Sequence, residues 1–153
     1  FEVRVTDFLY ENNMDKRGFS RMGAEAIACA TDQNRFWDYY HQAIRRLWQD
    51  YHSKGIGSSK NAPAIKDLTP AYWESIASDV KLDNSFKSCL SEHKMLETVK
   101  QNTADATTLM LRHNLGGMPS FKFNNFTSSG FDTNWDYSYV ERYLAAGLAK
   151  NLK

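Results

Sequence analysis

Sulfur is scarce in this chain: two cysteines in 153 residues, Cys29 and Cys89, and no Cys-x-x-Cys anywhere. A Cys-x-x-Cys redox centre carried wholly by these residues is therefore excluded. Charge of one sign is lacking too. The formal net charge is +1, with acids and bases interspersed, which gives no electrostatic reason to expect nucleic acid or an anionic membrane as partner. No apolar run approaches the roughly 18 residues needed to span a bilayer. There is no Walker phosphate loop, no Gly-x-Gly-x-x-Gly turn, no His-Glu-x-x-His helix and no Gly-x-Ser-x-Gly elbow. His41, His52, His93 and His113 are scattered without metal-ligand spacing, so no metal and no cofactor are expected. Phe1 opens the chain with no initiator methionine and no signal peptide, which leaves either a mature start or missing upstream residues.

Aromatic residues are plentiful instead, at 14%, enough to build a folded core. Residues 2–10 alternate Val3 and Val5 as a strand would, losing register at Phe8. A polar stretch to Gly18 reads as a loop. From Ser20 to Thr31 small residues recur at helical spacing, which suits a helix packed closely against a neighbour. Asp32 is a plausible N-cap for the next helix, in which Phe36, Trp37, Tyr40, Ile44, Leu47, Trp48 and Tyr51 mark one face, expected to be core. Residues 53–64 carry Gly55, Gly57, Ser58, Ser59 and Pro63, a flexible excursion. Thr69-Pro70 opens a helix that turns Trp73, Ile76 and Ala77 inward. Asp83 caps a short helix bearing Phe86, Cys89 and Leu90, and a longer helix runs from Glu92 to about His113.

Residues 116–131 form the closest thing to a functional address. Gly116 and Gly117 supply positive-φ freedom, and Met118-Pro119 is a bond that can be cis at a cost of about 0.5 to 1 kcal/mol. Phe121 and Phe123 alternate with Ser120 and Lys122 as a half-buried strand, and Asn124-Asn125 suits a tight hairpin turn. A last helix is expected after Asp136. A Cys29–Cys89 bridge would close a loop of about 60 residues and contribute roughly 4 kcal/mol; two unpaired buried thiols are the alternative, and cysteine count alone does not choose.

Taken in order, three stretches resemble the DsbA-like thiol-disulfide oxidoreductases. Residues 28–39, Ala-Cys-Ala-Thr-Asp-Gln-Asn-Arg-Phe-Trp-Asp-Tyr, are similar to the family's Cys-Ala-x-x-Gln-x-x-Phe-Trp segment. Residues 82–90, Leu-Asp-Asn-Ser-Phe-Lys-Ser-Cys-Leu, are similar to its Asp-x-x-x-Phe-x-x-Cys-Leu helix. Gly117-Met118-Pro119-Ser120-Phe121 is similar to its Gly-x-Pro-Thr-Phe loop. The resemblance implies an α/β class (α+β by content): a thioredoxin-like sheet, incomplete at its N-terminus, with a large helical insertion. Residues 1–17 would be its first strand and loop, 18–114 the inserted helical domain, and 115–153 the hairpin and final helix.

It further implies a thiol-disulfide oxidoreductase acting on exported proteins, with no catalytic residue in this chain and the Cys-x-x-Cys lying outside it. Gly117, Met118 and Pro119 would receive the substrate, and Cys29 and Cys89 would pair as a structural disulfide. That pairing places the protein outside the cytosol, periplasmic or secreted. Partners would be unfolded or reduced proteins, with a redox-recycling partner besides. The alternatives are a non-catalytic peptide-binding module of the same fold, or a glutathione-transferase-like relative. Met118 departs from the Thr or Val usual before the proline.

Overall fold

The computed structural model describes residues 3–12, 14–15, 17–57, 61–115, 120–123 and 126–129. The chain divides into two units, 1–103 and 104–153. The elements are α1 (Phe8–Glu11), α2 (Phe19–Thr31), α3 (Phe36–Asp50), a 3-10 turn (His52–Lys54), α4 (Pro70–Asp79), α5 (Asn84–Ser91), α6 (Leu96–His113), β1 (Ser120–Phe123) and β2 (Phe126–Ser129). Helix α6 runs through the boundary.

The expected α/β class is overturned: the fold is helical. Residues 3–7 belong to no strand, and the chain turns at once into α1. The only strands among the described residues are β1 and β2, a two-stranded antiparallel hairpin with Ser120 opposite Ser129 and Phe123 opposite Phe126. No thioredoxin-like sheet spans the described residues. The physical reason lies in how the N-terminal segment is satisfied. Val5 packs on Ala24, Ala28 and Val99, and its carbonyl accepts from the Asn102 side chain at 3.2 Å, so helices take the place of a neighbouring strand.

In the first unit α2 is the hub, and its small side chains are the cause. Ala26, Cys29 and Ala30 face one cluster with Tyr39, Trp73, Ile76, Phe86 and Leu90, while Ala24 and Ala28 face the other with Val5 and Val99. Gly23 lets the ring of Trp73 lie against α2; a Cβ there would stand 3.0 Å from the indole. Burial of Tyr39, Ile76, Phe86 and Val99 at 1% exposure or less contributes on the order of 2 kcal/mol each.

Helix α3 departs from expectation in rotation. Its buried residues are Tyr39 and Ala43, whereas Trp37, Ile44 and Trp48 are 48%, 50% and 61% exposed. Tyr39 packs its ring on Phe86 in a tilted contact at 5.1 Å and donates its hydroxyl to the Trp73 carbonyl at 3.0 Å; burial, then the nearby Tyr72, pushes its ionisation well above the tyrosine range. The start of α3 also differs. Asp32 follows the last turn of α2, and Arg35 precedes α3 without a side-chain cap. Asn34, at φ 55°, reverses the chain between them, with Asn34 N–H bonding Thr31 O and Arg35 N–H bonding Ala30 O.

The far end of α3 is fastened by polar groups. Arg46 bridges Asp50 at 3.1 Å and Asp79 at 2.8 Å, and Tyr72 donates to Asp50 at 3.1 Å, tying α3 to α4. Gln42 also donates to Asp79, and these contacts, Gln42 first and Arg46 after it, hold the Asp79 carboxyl below its usual range. Pro70 opens α4, and Asp83 caps α5 by accepting from Ser85 N–H at 2.7 Å, both as their local chemistry predicts.

Of the second unit, residues 104–113 are helical, Asn114 at φ 51° ends that helix, and the hairpin follows.

Candidate functional site

Two of the three motif stretches are brought together by folding. Cys29 on α2 and Cys89 on α5 form a disulfide with Cα atoms 5.9 Å apart. Both sulfurs are buried, at 1% and 4% residue exposure. A bond so enclosed is shielded from the thiolates of other proteins while the chain is folded and acts as a staple.

The same two stretches meet again one helical turn away. Gln33 donates its amide to Asp83 Oδ1 at 3.0 Å and to Ser85 Oγ at 2.9 Å, and its carbonyl accepts from Asp83 N–H at 3.0 Å. Ser85, through its hydroxyl and then its backbone N–H, holds the Asp83 carboxyl below the usual range. On the other side of the disulfide, Glu25 sits four residues before Cys29 and His93 four residues after Cys89. His93 Nδ1 lies 2.9 Å from Glu25 Oε2, and Glu25 is only 2% exposed. Glu25–His93, Cys29–Cys89 and Gln33–Asp83 thus form three successive ties along one helix pair.

Beside α2, away from the staple, lies an open groove of about 620 Å3. Val3, Val5, Phe36, Trp37 and Met95 give it apolar walls, with Thr31, Thr98 and Asn102 among them and one charge of each sign, Arg4 and Asp32. Its size suits a ligand of several non-hydrogen groups, and its neutral lining suits an uncharged apolar one. The N-terminal wall is held by a buried network. Asp7, fully buried, accepts from Arg21 at 2.5 Å and from the Thr103 hydroxyl at 2.6 Å, while its own N–H donates to Thr103 Oγ1 at 3.0 Å. Arg21 also pairs with Glu11 and lies 3.8 Å over the Tyr10 ring.

Gly117, Met118 and Pro119, expected to receive substrate, lie outside the described residues. Among the described residues no three His, Cys, Asp or Glu side chains are grouped to hold a metal ion, and no helix is long and apolar enough to cross a membrane. The groove itself escapes sequence reading, because its walls come from three separated segments. The one available signal was the excess of aromatics around Phe36-Trp37. Comparison with protein-family models, with curated proteins and with solved structures gave no match.

Proposed function

We propose that this chain is the substrate-holding helical part of an extracytoplasmic thiol-disulfide oxidoreductase system, with the reacting Cys-x-x-Cys on polypeptide outside these 153 residues. The observation that carries this reading is the pairing of the two stretches that resemble DsbA-like segments. Residues separated by about 50 to 60 positions in sequence meet through a disulfide at Cys29–Cys89 and through Gln33–Asp83. A buried disulfide fits a protein that matures in an oxidising compartment. Within the chain no residue carries the redox step. The role left to it is to hold an unfolded, reduced polypeptide, with apolar side chains of that polypeptide in the groove walled by Val5, Trp37 and Met95. In the reaction a thiolate of the reduced polypeptide attacks one sulfur of the external pair's disulfide, forming a mixed disulfide and releasing the pair's other sulfur as a thiolate. A second substrate thiolate then attacks the substrate sulfur of the mixed disulfide, so the substrate leaves as a disulfide and the external pair as a dithiol.

Isolation of the protein from its native source tests this directly. The expected result is a polypeptide, in the same chain or a bound one, that carries a Cys-x-x-Cys and oxidises a reduced unfolded protein. A native mass equal to these 153 residues alone, with no companion and no turnover, overturns it.

The groove favours a second reading on its own: a binding module that holds apolar segments without redox turnover. It predicts affinity for a reduced, carboxymethylated unfolded protein that thiol alkylation of the preparation leaves unchanged. Glutathione, an anion, finds only Arg4 as a cation in the groove, which disfavours a glutathione-transferase role.

A further inference from the structure

The exposed side of α3 carries a heptad-spaced stripe. Trp37, His41, Ile44 and Trp48 are spaced four, three and four residues apart, the a/d spacing of two heptads, and all four are exposed. The flanks differ in kind. One carries Asp38 and Arg45, seven residues apart; the other carries Tyr40 and Leu47, both half-buried.

We infer that two copies of this chain pair reversibly through α3, antiparallel about a two-fold axis. The charge pattern selects this occupant and this direction. Antiparallel pairing that sets Trp37 against Trp48 of the second copy sets His41 against Ile44, and brings each Asp38 beside the other copy's Arg45. A two-fold interface requires such self-complementarity, since every contact occurs twice. Parallel pairing would instead put the charged flank against the Tyr40 and Leu47 flank and leave Arg45 without a carboxylate. Asp38 already meets Arg35 of its own chain, but an exposed i,i+3 pair is weak and leaves its second oxygen available. Arg45 has as its described partner only the Gln42 side chain, at 3.4 Å.

The area sets the strength. With aromatic side chains carrying 150–250 Å2 each, half-exposed Trp37 and Trp48 together with Ile44 offer about 350 Å2. A stable complex covers about 800 Å2 on each partner, so the seam gives a reversible dimer seen at high protein concentration. The α3 dimer does not depend on the proposed function. Its one link is Trp37, which lines both the seam and the groove, so the second copy's Trp48 would pack behind the groove wall.

Sedimentation equilibrium of the full chain over a wide concentration range tests it. A monomer–dimer equilibrium is expected. Trp48→Glu and Ile44→Glu should each weaken it at least about tenfold, and Asp38→Lys or Arg45→Glu about fivefold, because each removes two ion pairs and opposes like charges. The combined Asp38→Lys/Arg45→Glu variant should regain the affinity to within about twofold of the parent, the ion pairs being restored with reversed sign. Far-UV circular dichroism controls for folding, which these exposed positions leave intact. A chain that stays monomeric at its highest soluble concentration overturns the inference. So does a dimer indifferent to Trp48→Glu, or a combined variant no better than the singles.

Discussion

Helix α2 is fastened on two sides by opposite kinds of chemistry. Toward α5 the link is covalent, Cys29–Cys89, flanked by hydrogen bonds at Gln33 and Glu25. Toward the N-terminal segment and α6 it is ionic, a buried Asp7 shared by Arg21 and Thr103. A covalent staple acts chiefly on the unfolded chain and is indifferent to salt and to local packing. A buried charge acts on the folded state alone and depends on every partner being present. The two sides should therefore fail under different conditions: the α5 side under reduction, the Asp7 side under any substitution that removes one member.

The largest effect is expected from breaking the staple. Reduction, or Cys29→Ala with Cys89→Ala, opens a loop of 60 residues and should lower unfolding free energy by about 4 kcal/mol in the chain-entropy model. Urea unfolding with and without reductant measures it. Hydrogen exchange at α5 should rise while the amide of Asp7, on the other side, stays protected. Equal loosening of both sides would show that the two fastenings are one cooperative unit.

Asp7→Ala comes next. Removing it leaves Arg21 and the Thr103 hydroxyl without their shared carboxylate and should cost about 3 kcal/mol. Arg21→Ala combined with Asp7→Ala should cost less than the two singles summed, because the second substitution removes a charge the first has stranded. Additive losses would mean that the two residues do not depend on each other. If the groove binds polypeptide, Asp7→Ala should also weaken it, since Val3 and Val5 lose their anchor.

How much of this was legible in the sequence depends on whether the deciding contact is local. Thr69-Pro70 and Asp83 announce α4 and α5 through chemistry within a few residues, and both helices start there. The alternation of Val3 and Val5 is equally visible, but period 2 reports only that one side is buried. It does not say whether a strand or a helix does the burying, and here Ala24, Ala28 and Val99 do. On α3 the apolar residues wrap most of the helix, so two stripes compete. Contacts with Phe86 and Trp73, distant in sequence, choose Tyr39 over Trp37. Helix ends show the same division. Asn34 and Asn114 suit the left-handed turn that follows a helix, whereas Lys81 adopts it against its intrinsic preference. The sulfur pair was within reach only through resemblance, and the Gln33–Asp83 contact beside it was not anticipated.

Gln33→Ala should have a moderate effect on the covalent side, about 1 kcal/mol, through loss of exposed bonds to Asp83 and Ser85. Asp83 adds a pH dependence. Its carboxyl is held below its usual value, so its contribution is complete above about pH 4 and is lost as pH falls through the lowered value. Asp83→Asn should flatten that acid limb in melts followed as a function of pH. A limb unchanged by the substitution would assign it to other carboxylates, Asp79 foremost.

A difference of the same small size separates two variants of His93. Its φ of 52° is the left-handed turn at the end of α5, where His93 N–H bonds Leu90 O and Lys94 N–H bonds Cys89 O, an arrangement glycine favours. The His93 ring, in that same turn, meets the buried Glu25. His93→Ala loses that partner and keeps the backbone strain, whereas His93→Gly loses the partner and relieves the strain. His93→Gly should therefore be the more stable of the two by about 1 kcal/mol, with both below the parent. Denaturant midpoints in the oxidised protein measure the gap, because the intact disulfide keeps the turn in place while its backbone is tested. A His93→Gly protein as stable as the parent would mean that the Glu25 contact contributes no more than the strain costs, leaving the sulfur bond and Gln33 as the main fastenings of the α5 side.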